Sequence, residues 1–329
     1  MPASEPAVEL SVIVASHERR ELLRRCLDSL ASQTEDPANF EVVVAIDGST
    51  DGTAEMAAEL ETPFRLRALQ LEKGGHAAAQ NAAIAVATGA FCLLLDDDVV
   101  ASPELIAAHL EALREDPKTI GIGALTQEPV VARDWYAHAF ARGWSEHYAE
   151  LESREARWTD CYGANVSFPR ETLLEIGGVS TDLPAAKDFD LAYRLFRVGC
   201  APRYLPRAHG VHDDQKRSTK MLADAERQGS MHVELATRFP DAGPTLLDWS
   251  AGADRREIVL RRAAIGLHLP PGPLAWMGRF LPGDGRKMIW LHFVRRFAFW
   301  RGVRGSLSRH SWVMVTHGQV IEAIAEGLQ

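Results

Sequence analysis

Along the first 125 residues, short apolar runs alternate with stretches whose apolar positions recur every three or four residues. Leu10–Ala15 (LSVIVA) has the β-branched composition of a buried strand, and Leu22, Leu23, Cys26, Leu27 and Leu30 follow at helical spacing. Phe40–Ile46 (FEVVVAI) predicts a second strand, broken by the Gly/Ser/Thr/Asp cluster Asp47–Thr53 before a helix ending near Leu60. Phe64–Leu71 predicts a third strand. An Ala-rich helix is expected from about Gly75 to Thr88, with Gly89 as its C-terminal stop. Ala90–Leu95 predicts a fourth strand, ended by Asp96, Asp97 and Asp98, and Ser102-Pro103 offers an N-cap and an N1 proline for a helix through Leu113.

Repeated strand–helix units imply an α/β fold with a mostly parallel sheet and helices on both faces. Ligands of such sheets sit at the carboxyl ends of the strands. His17, Asp47 and the Asp96–Asp98 triplet each follow a strand directly, so the three clusters are expected to share one site.

Beyond Thr126 the pattern weakens. Trp135, Tyr136, Phe140, Trp144 and Tyr148 suggest an aromatic helix, Tyr162–Phe168 a strand, Glu171–Ile176 a helix ending at Gly177-Gly178, and Asp188–Val198 a helix stopped by Gly199. A strand near Arg203–Leu205 and a helix across Asp213–Thr237 follow. Pro and Gly accumulate at Pro240–Pro244, which places the expected division there: a catalytic domain over 1–240 and a helical region over 241–329, with helices near Arg255–Gly266, Arg286–Arg301 and Val320–Gly327.

Composition is ordinary for a soluble globular chain of 329 residues, at 46% hydrophobic and 25% charged, which excludes disordered, collagen-like and disulfide-scaffold classes. The four cysteines (Cys26, Cys92, Cys161, Cys200) form no C-x-x-C pair and read as buried small hydrophobes in a reduced, cytosolic compartment. No signal-peptide pattern is visible, and the longest apolar runs fall far short of the roughly 20 residues that span a bilayer. Charge is uneven. Residues 254–309 hold 12 Lys/Arg against 3 Asp/Glu, a local +9, whereas the whole chain carries −9, so the remainder carries −18. An acidic body argues against a nucleic-acid partner.

Three adjacent carboxylates at the ligand edge repel one another unless a cation joins them. A carboxylate pair is a binding set for Mg²⁺ or Mn²⁺ whose shell is completed by phosphates; the alternative is a solvated acidic loop. The chain lacks both a G-x-x-x-x-G-K-[ST] loop and a G-x-G-x-x-G turn after the first strand, where Ser-His-Glu-Arg stands instead. A nucleotide would then be read by side chains and its phosphates held through the metal. Asp47 is able to accept a base N–H, or simply to initiate its own turn.

The ordered series IVAS-HER, AIDGSTDGT, KGGHAAAQNAAIAVATG, LLLDDDVV, YGANVSFPRETLLEIGG, KDFDLAYRLFRVG and LPRAHGVH, over about residues 9–215, resembles the inverting nucleotide-sugar glycosyltransferases of family 2. The resemblance implies a GT-A fold, a Rossmann-like α/β sheet with an acidic Asp-x-Asp metal motif, and a C-terminal helical extension. It implies that Ala15, His17 and Glu18 line the nucleotide site, that Asp47 meets the base edge, that Asp96 lies by ribose and metal, and that Asp98 ligates the metal. Asp97 fills the variable position among the nucleotide contacts. Gly163, Ala164 and Asn165 resemble the strand that approaches donor sugar and acceptor. In KDFDL, Lys187 replaces the usual Glu, leaving Asp188 as catalytic base, with a helix cap as its alternative role, and Asp190 as support at the helix start by the donor sugar or acceptor. His212 matches a histidine near metal or diphosphate, with a solvent-facing role as the alternative. Gln80 stands where many relatives carry Arg, next to Asn81, and Lys73 or His76 are the substitutes for that nucleotide contact.

The mechanism implied is one in-line displacement from a nucleoside diphosphate sugar, a UDP-sugar by expectation, onto the hydroxyl of a glycan, lipid-linked or small-molecule acceptor. A nucleotidyltransferase and a degenerate sugar-nucleotide-binding protein are the alternatives. In RKMIWLHFVRRFAFWRGVR (286–304), Trp290, Phe293, Phe297 and Trp300 share one helix face. That face is expected to dock on the catalytic domain with the arginines in solvent. An anionic lipid surface at the inner face of the membrane and a homodimer contact are its other readings.

Overall fold

Two runs without an exposed position, LSVIVAS and FEVVVAID, make adjacent interior strands of the sheet. The computed structural model describes residues 8–127, 135–213, 217–251 and 253–328. Two compact units are formed, the first from residues 1–130, 144–182 and 187–214, the second from 131–143, 183–186 and 215–329.

In chain order the first unit runs β1 (Leu10–Ser16), α1 (Arg20–Leu30), β2 (Phe40–Asp47), α2 (Thr53–Glu59), β3 (Arg65–Leu71), α3 (His76–Val86), β4 (Phe91–Leu95), β5 (Val99–Ala101), α4 (Leu105–Glu115) and β6 (Thr119–Gln127). Helix α5 (Trp135–Leu151), divided between the units, is followed by β7 (Asn165–Pro169), α6 (Arg170–Glu175), α7 (Lys187–Arg197) and β8 (Ala201–His212). The eight strands form one sheet in the order β3-β2-β1-β4-β7-β6-β8-β5. Strands β3, β2, β1 and β4 are parallel; β7 runs antiparallel to β4 and β6, β8 is parallel to β6, and β5 is antiparallel to β8.

Alternation along β1 divides the core. Val12 and Val14 face one layer, against Leu23 and Leu27 of α1, whereas Ile13 and Ala15 face the other, with Ala83 and Ile84 of α3 and Leu191 and Leu195 of α7. All four cysteines are buried free thiols.

Several boundaries differ from the expected ones. Strand β5 is only three residues long, and β6 (TIGIGALTQ) contains two glycines, so neither has a strong strand pattern. Strand β8 extends over twelve residues despite Pro202 and Pro206, with a register shift opposite Gly123 and Ala124. Helix α4 begins at Leu105 with Glu104 as its N-cap, so Ser102 does not cap it; the Ser102 N–H donates instead to the His209 carbonyl at 2.9 Å.

Gly89 does not stop α3 either, since the helix ends at Val86 and Ala87 is already extended. Its role is close approach: a Cβ there would lie 2.7 Å from the Ser11 nitrogen. The Gly89 N–H donates to Ser11 Oγ (2.9 Å), and Ser11 in turn donates to the buried Glu41 carboxylate (2.8 Å), which also accepts from the Thr88 N–H (2.6 Å). Burial alone would raise the Glu41 pKa, but these hydrogen bonds outweigh it and hold the carboxyl below its ordinary value.

The second unit consists of α8 (Ser218–Arg238), α9 (Gly243–Leu246), α10 (Arg255–Gly266), α11 (Pro271–Met277), α12 (Asp284–Ser306), α13 (Arg309–Thr316) and α14 (Val320–Ala325). Helices α8 and α12 pack together. The long C-terminal stretch of this unit thus begins near residue 215, before α8. Phe293, Phe297 and Trp300 of α12 are buried in this unit, so the aromatic face expected to lie on the catalytic domain or on lipid is used inside the helical unit itself. Two of its arginines are also engaged. Arg296 pairs with Glu257 at 2.7 Å and Arg301 with Glu226 at 2.9 Å. No helix among the described residues is long and apolar enough to cross a membrane.

The Gly89→Ala variant is expected to lose about 2 kcal/mol of stability, because the new methyl group forces the β1 backbone and the Ser11–Glu41 network apart. Urea unfolding of the two proteins measures the difference.

Candidate active site

Each parallel strand delivers a polar residue to the carboxyl edge of the sheet, and the turns there are tied to one another. After β1, Glu18 adopts a left-handed backbone (φ 52°). Its N–H donates to Ser49 Oγ (2.9 Å), and its carboxylate accepts from the Thr50 N–H (2.8 Å). His17 sits between the carbonyl of Asp47 (Nδ1, 2.7 Å) and the ammonium of Lys73 (Nε2, 2.9 Å), an arrangement that the Nδ1-protonated tautomer satisfies at both nitrogens. The Asp47 carboxylate accepts from the N–H groups of Gly74 (2.6 Å) and Gly75 (3.0 Å), closing the turn into α3. Ala15, His17, Glu18, Asp47 and Lys73 thus belong to one strand-tip cluster.

The three aspartates after β4 have different surroundings. Asp97 is buried, accepting from Ser16 Oγ (2.6 Å) and from Arg19 Nη1 (2.8 Å). Burial raises its pKa, and the neighbouring Asp98 charge adds to the rise, against the pull of Ser16 and Arg19. Its carboxylate is turned into the protein. Asp98 receives the same Arg19 nitrogen on Oδ2 (2.9 Å) and His212 Nε2 on Oδ1 (2.9 Å). The antiparallel register of β5 on β8, with Val99 opposite His212, brings this imidazole to the acidic tip. Asp96 remains partly exposed, 3.9 Å from His76 Nε2. One ligand atom each from Asp96, Asp98 and His212 lies within 4.8 Å of the others. Two carboxylates and an imidazole are a donor set suited to a small divalent ion, provided that His212 exchanges its Asp98 contact for the ion.

Asp188 stands in the first turn of α7, where a helix N-terminus favours a carboxylate. It accepts a hydrogen bond from the Gly163 N–H, and a Cβ at Gly163 would lie 2.5 Å from its Oδ1. The side chain is open to solvent on one side and borders an apolar recess lined by Leu94, Cys161, Phe168 and Leu191. Desolvation by these surroundings raises the Asp188 pKa, and the charge on Asp96 raises it further, opposed by the Gly163 hydrogen bond, His76 and Lys187. Ala164 links the two halves, its carbonyl accepting from the Asp96 N–H at 3.2 Å.

Three other expected site residues are committed to the framework. The Asp190 carboxylate is fully buried and accepts from Arg194 (2.6 Å) and Ser180. Arg194 also reaches the carbonyls of Ile176 and Gly178, both at 2.8 Å. Asn81 exchanges two hydrogen bonds of 2.8 Å with the backbone of Val179. Asn165 donates to the Ala208 carbonyl (2.9 Å) and accepts from His109 Nε2 (2.9 Å), and the His109 ring is kept neutral by burial, its pKa pushed down to about 4. Conversely, Ser16 and Arg19 shape the acidic tip and were not singled out from sequence. The only signal was their place directly after a buried strand.

Residues 11–177, half of the chain, match Glycosyl transferase family 2. The chain belongs to that family and is a glycosyltransferase. It is 26% identical over 319 residues to validoxylamine A glucosyltransferase of Streptomyces hygroscopicus subsp. limoneus, covering 82% of this chain and 70% of the relative. It is similar in fold to the mannosyltransferase PcManGT from Pyrobaculum calidifontis, solved with GDP-Man and Mn²⁺, at a TM-score of 0.62 and 21% identity over 92% of this chain and 90% of that one. TarS 1–349 of S. aureus, solved with UDP-GlcNAc, gives a TM-score of 0.55 and 17% identity over 95% of this chain and 93% of that one. These neighbours share the GT-A fold. The alternatives of a nucleotidyltransferase and of a degenerate binding protein are not favoured.

Arg194→Met would strand the buried Asp190 charge, and a loss of about 3 kcal/mol in unfolding free energy is expected. Asp190→Asn should lower the melting temperature in the same way. If Asp190→Asn instead weakened donor binding at unchanged stability, Asp190 would be a ligand contact and not a strut.

Proposed function

We propose that the chain transfers a sugar, with inversion, from a UDP-sugar to an acceptor hydroxyl, with Asp188 as general base and Mn²⁺ or Mg²⁺ held by Asp98, Asp96 and His212. The observation that carries this reading is the convergence of those three ligand groups at the end of β4, in a family 2 chain, beside a carboxylate whose pKa is raised. A divalent ion bound there would supply positive charge to the departing diphosphate.

The chain's own groups account for the remaining steps. Ala15, His17 and Asp47 form the wall against which the base and ribose rest, with Glu18 holding the turn that carries them. Lys73, already beside His17, adds a positive charge for the diphosphate. Gly163, with no side chain, and Ala164, with only a methyl group, leave room where the donor sugar comes close to Asp188. Asp188 takes the proton of the acceptor hydroxyl while that oxygen attacks the anomeric carbon, the bond to the diphosphate breaks on the opposite side, and the configuration inverts. A carboxyl with a raised pKa is the better base for this proton. Asp97 contributes by fixing Arg19, which balances the acidic tip when no ion is bound. The nucleotide named in the TarS complex supports UDP, and the ion named in the PcManGT complex supports Mn²⁺.

Asp98→Ala should abolish the thermal stabilisation that UDP and Mn²⁺ give together, along with transfer. Asp188→Asn should lower kcat by about 10²–10⁴ and leave UDP binding intact; equal loss of both would reject Asp188 as base. The acid limb of kcat/KM should lie above the ordinary aspartate value of about 3.9, because activity is lost as pH falls through the raised Asp188 pKa and the base becomes protonated. NMR of the first-formed product reports inversion or retention.

A further inference from the structure

The helical unit exposes a group of large apolar side chains. Trp276, Met277 and Phe280, on the end of α11 and the turn after it, are 56%, 50% and 63% exposed. The segment beneath them is fixed. Trp135 Nε1 donates to the Ala275 carbonyl (3.0 Å), Trp290 Nε1 donates to the Leu274 carbonyl (2.7 Å), and Gly278 is buried against both indoles. Two tryptophans therefore hold the loop from inside while a third points outward. Exposed aromatics grouped on a rigid support mark a contact surface.

The charges beside this tip indicate the partner. The Arg279 guanidinium lies 5.4 Å from the Trp276 ring and 5.1 Å from the Phe280 ring, which are themselves 4.8 Å apart. Arg217 and Arg279 line one groove beside Trp276; Arg142 and Lys287 line a second, together with His138 and Asp284. Exposed Arg286 stands in the first turn of α12, and Asp284 is the single carboxylate in residues 271–289 against three cations. A twofold contact between two copies would set these cations against their own images. An anionic lipid surface complements them and accepts the aromatic rings at its headgroup level.

We propose that the α11–α12 tip, through Trp276, Met277 and Phe280 with Arg279, Arg286 and Lys287 around them, is a monotopic docking site for anionic phospholipid. The surface that meets lipid is this tip, and the aromatic face of α12 is internal. The site is independent of the sugar-transfer reading, since none of its residues belongs to the acidic strand-tip cluster.

Sedimentation of the full chain with vesicles tests the assignment. Binding is expected to vesicles that mix phosphatidylglycerol into phosphatidylcholine, to fall on addition of salt, and to be absent with phosphatidylcholine alone. Trp276→Ser combined with Phe280→Ser should weaken the partition at least about tenfold. Arg279→Gln with Arg286→Gln and Lys287→Gln should remove the preference for anionic lipid. Met277→Asp, at an exposed side chain, gives a second disruption, and an unchanged melting temperature shows that each variant is folded. Absence of wild-type binding overturns the proposal, as does equal binding by the variants. So does a wild-type dimer in equilibrium sedimentation that the same substitutions dissociate, because the occupant would then be a second copy.

Discussion

Three consecutive carboxylates at the end of a buried strand are mutually repulsive, and the active-site end of the molecule is organised around their compensation. Arg19 supplies it. A single guanidinium nitrogen reaches both Asp97 and Asp98, so the turn after β1 is bound to the turn after β4 by charge as well as by strand pairing. Asp97 and Asp98 are both buried at this bridge, whereas Asp96 is partly exposed. The three carboxylates differ in their partners: Asp97 is held by Ser16 and Arg19, Asp98 by Arg19 and His212, and Asp96 stands nearest His76.

The same economy governs the rest of the site. Hydrogen bonds from Gly74 and Gly75 shape the turn in which Asp47 sits, and Glu18 does likewise for the turn between β2 and α2. Behind them lies a second tier, Asp190–Arg194, Asn81–Val179 and Asn165–His109, in which every polar group is satisfied within the protein. Such a tier makes the front rank rigid without adding charge to it. Asp188 is the exception, with one backbone hydrogen bond, a solvent-facing side and a raised pKa.

Much of this was legible in the residues. The apolar runs of β1, β2 and β4 locate the sheet because strands buried on both faces admit few substitutes for Val, Ile and Leu, and the carboxyl-edge rule then singles out His17, Asp47 and Asp96–Asp98. The ordered motifs added Asp188 and His212, far away in the chain. Motif position alone does not reveal which polar group is turned inward. Asp188 and Asp190 share the first turn of one helix, but a rotation of about 200° between them places one at the surface and the other on Arg194. Asn165 reads as a sugar contact until its three buried partners are known. Arg19 went unnoticed because its importance depends on a carboxylate 78 residues away. The α12 aromatics were recognised as one face, but periodicity does not say what covers a face, and here it is the α8 helix and its neighbours.

The pairing of β5 with β8 has a consequence for how the site comes into being. Asp98 and its imidazole neighbour are separated by more than a hundred residues, and only the antiparallel register of Val99 with His212 brings them together. During synthesis, the acidic tip is therefore complete well before its nitrogen donor has left the ribosome. A nascent chain can balance those carboxylates with Arg19 but lacks the imidazole. The full Asp96, Asp98 and His212 grouping exists only when the last strand of the sheet is laid down.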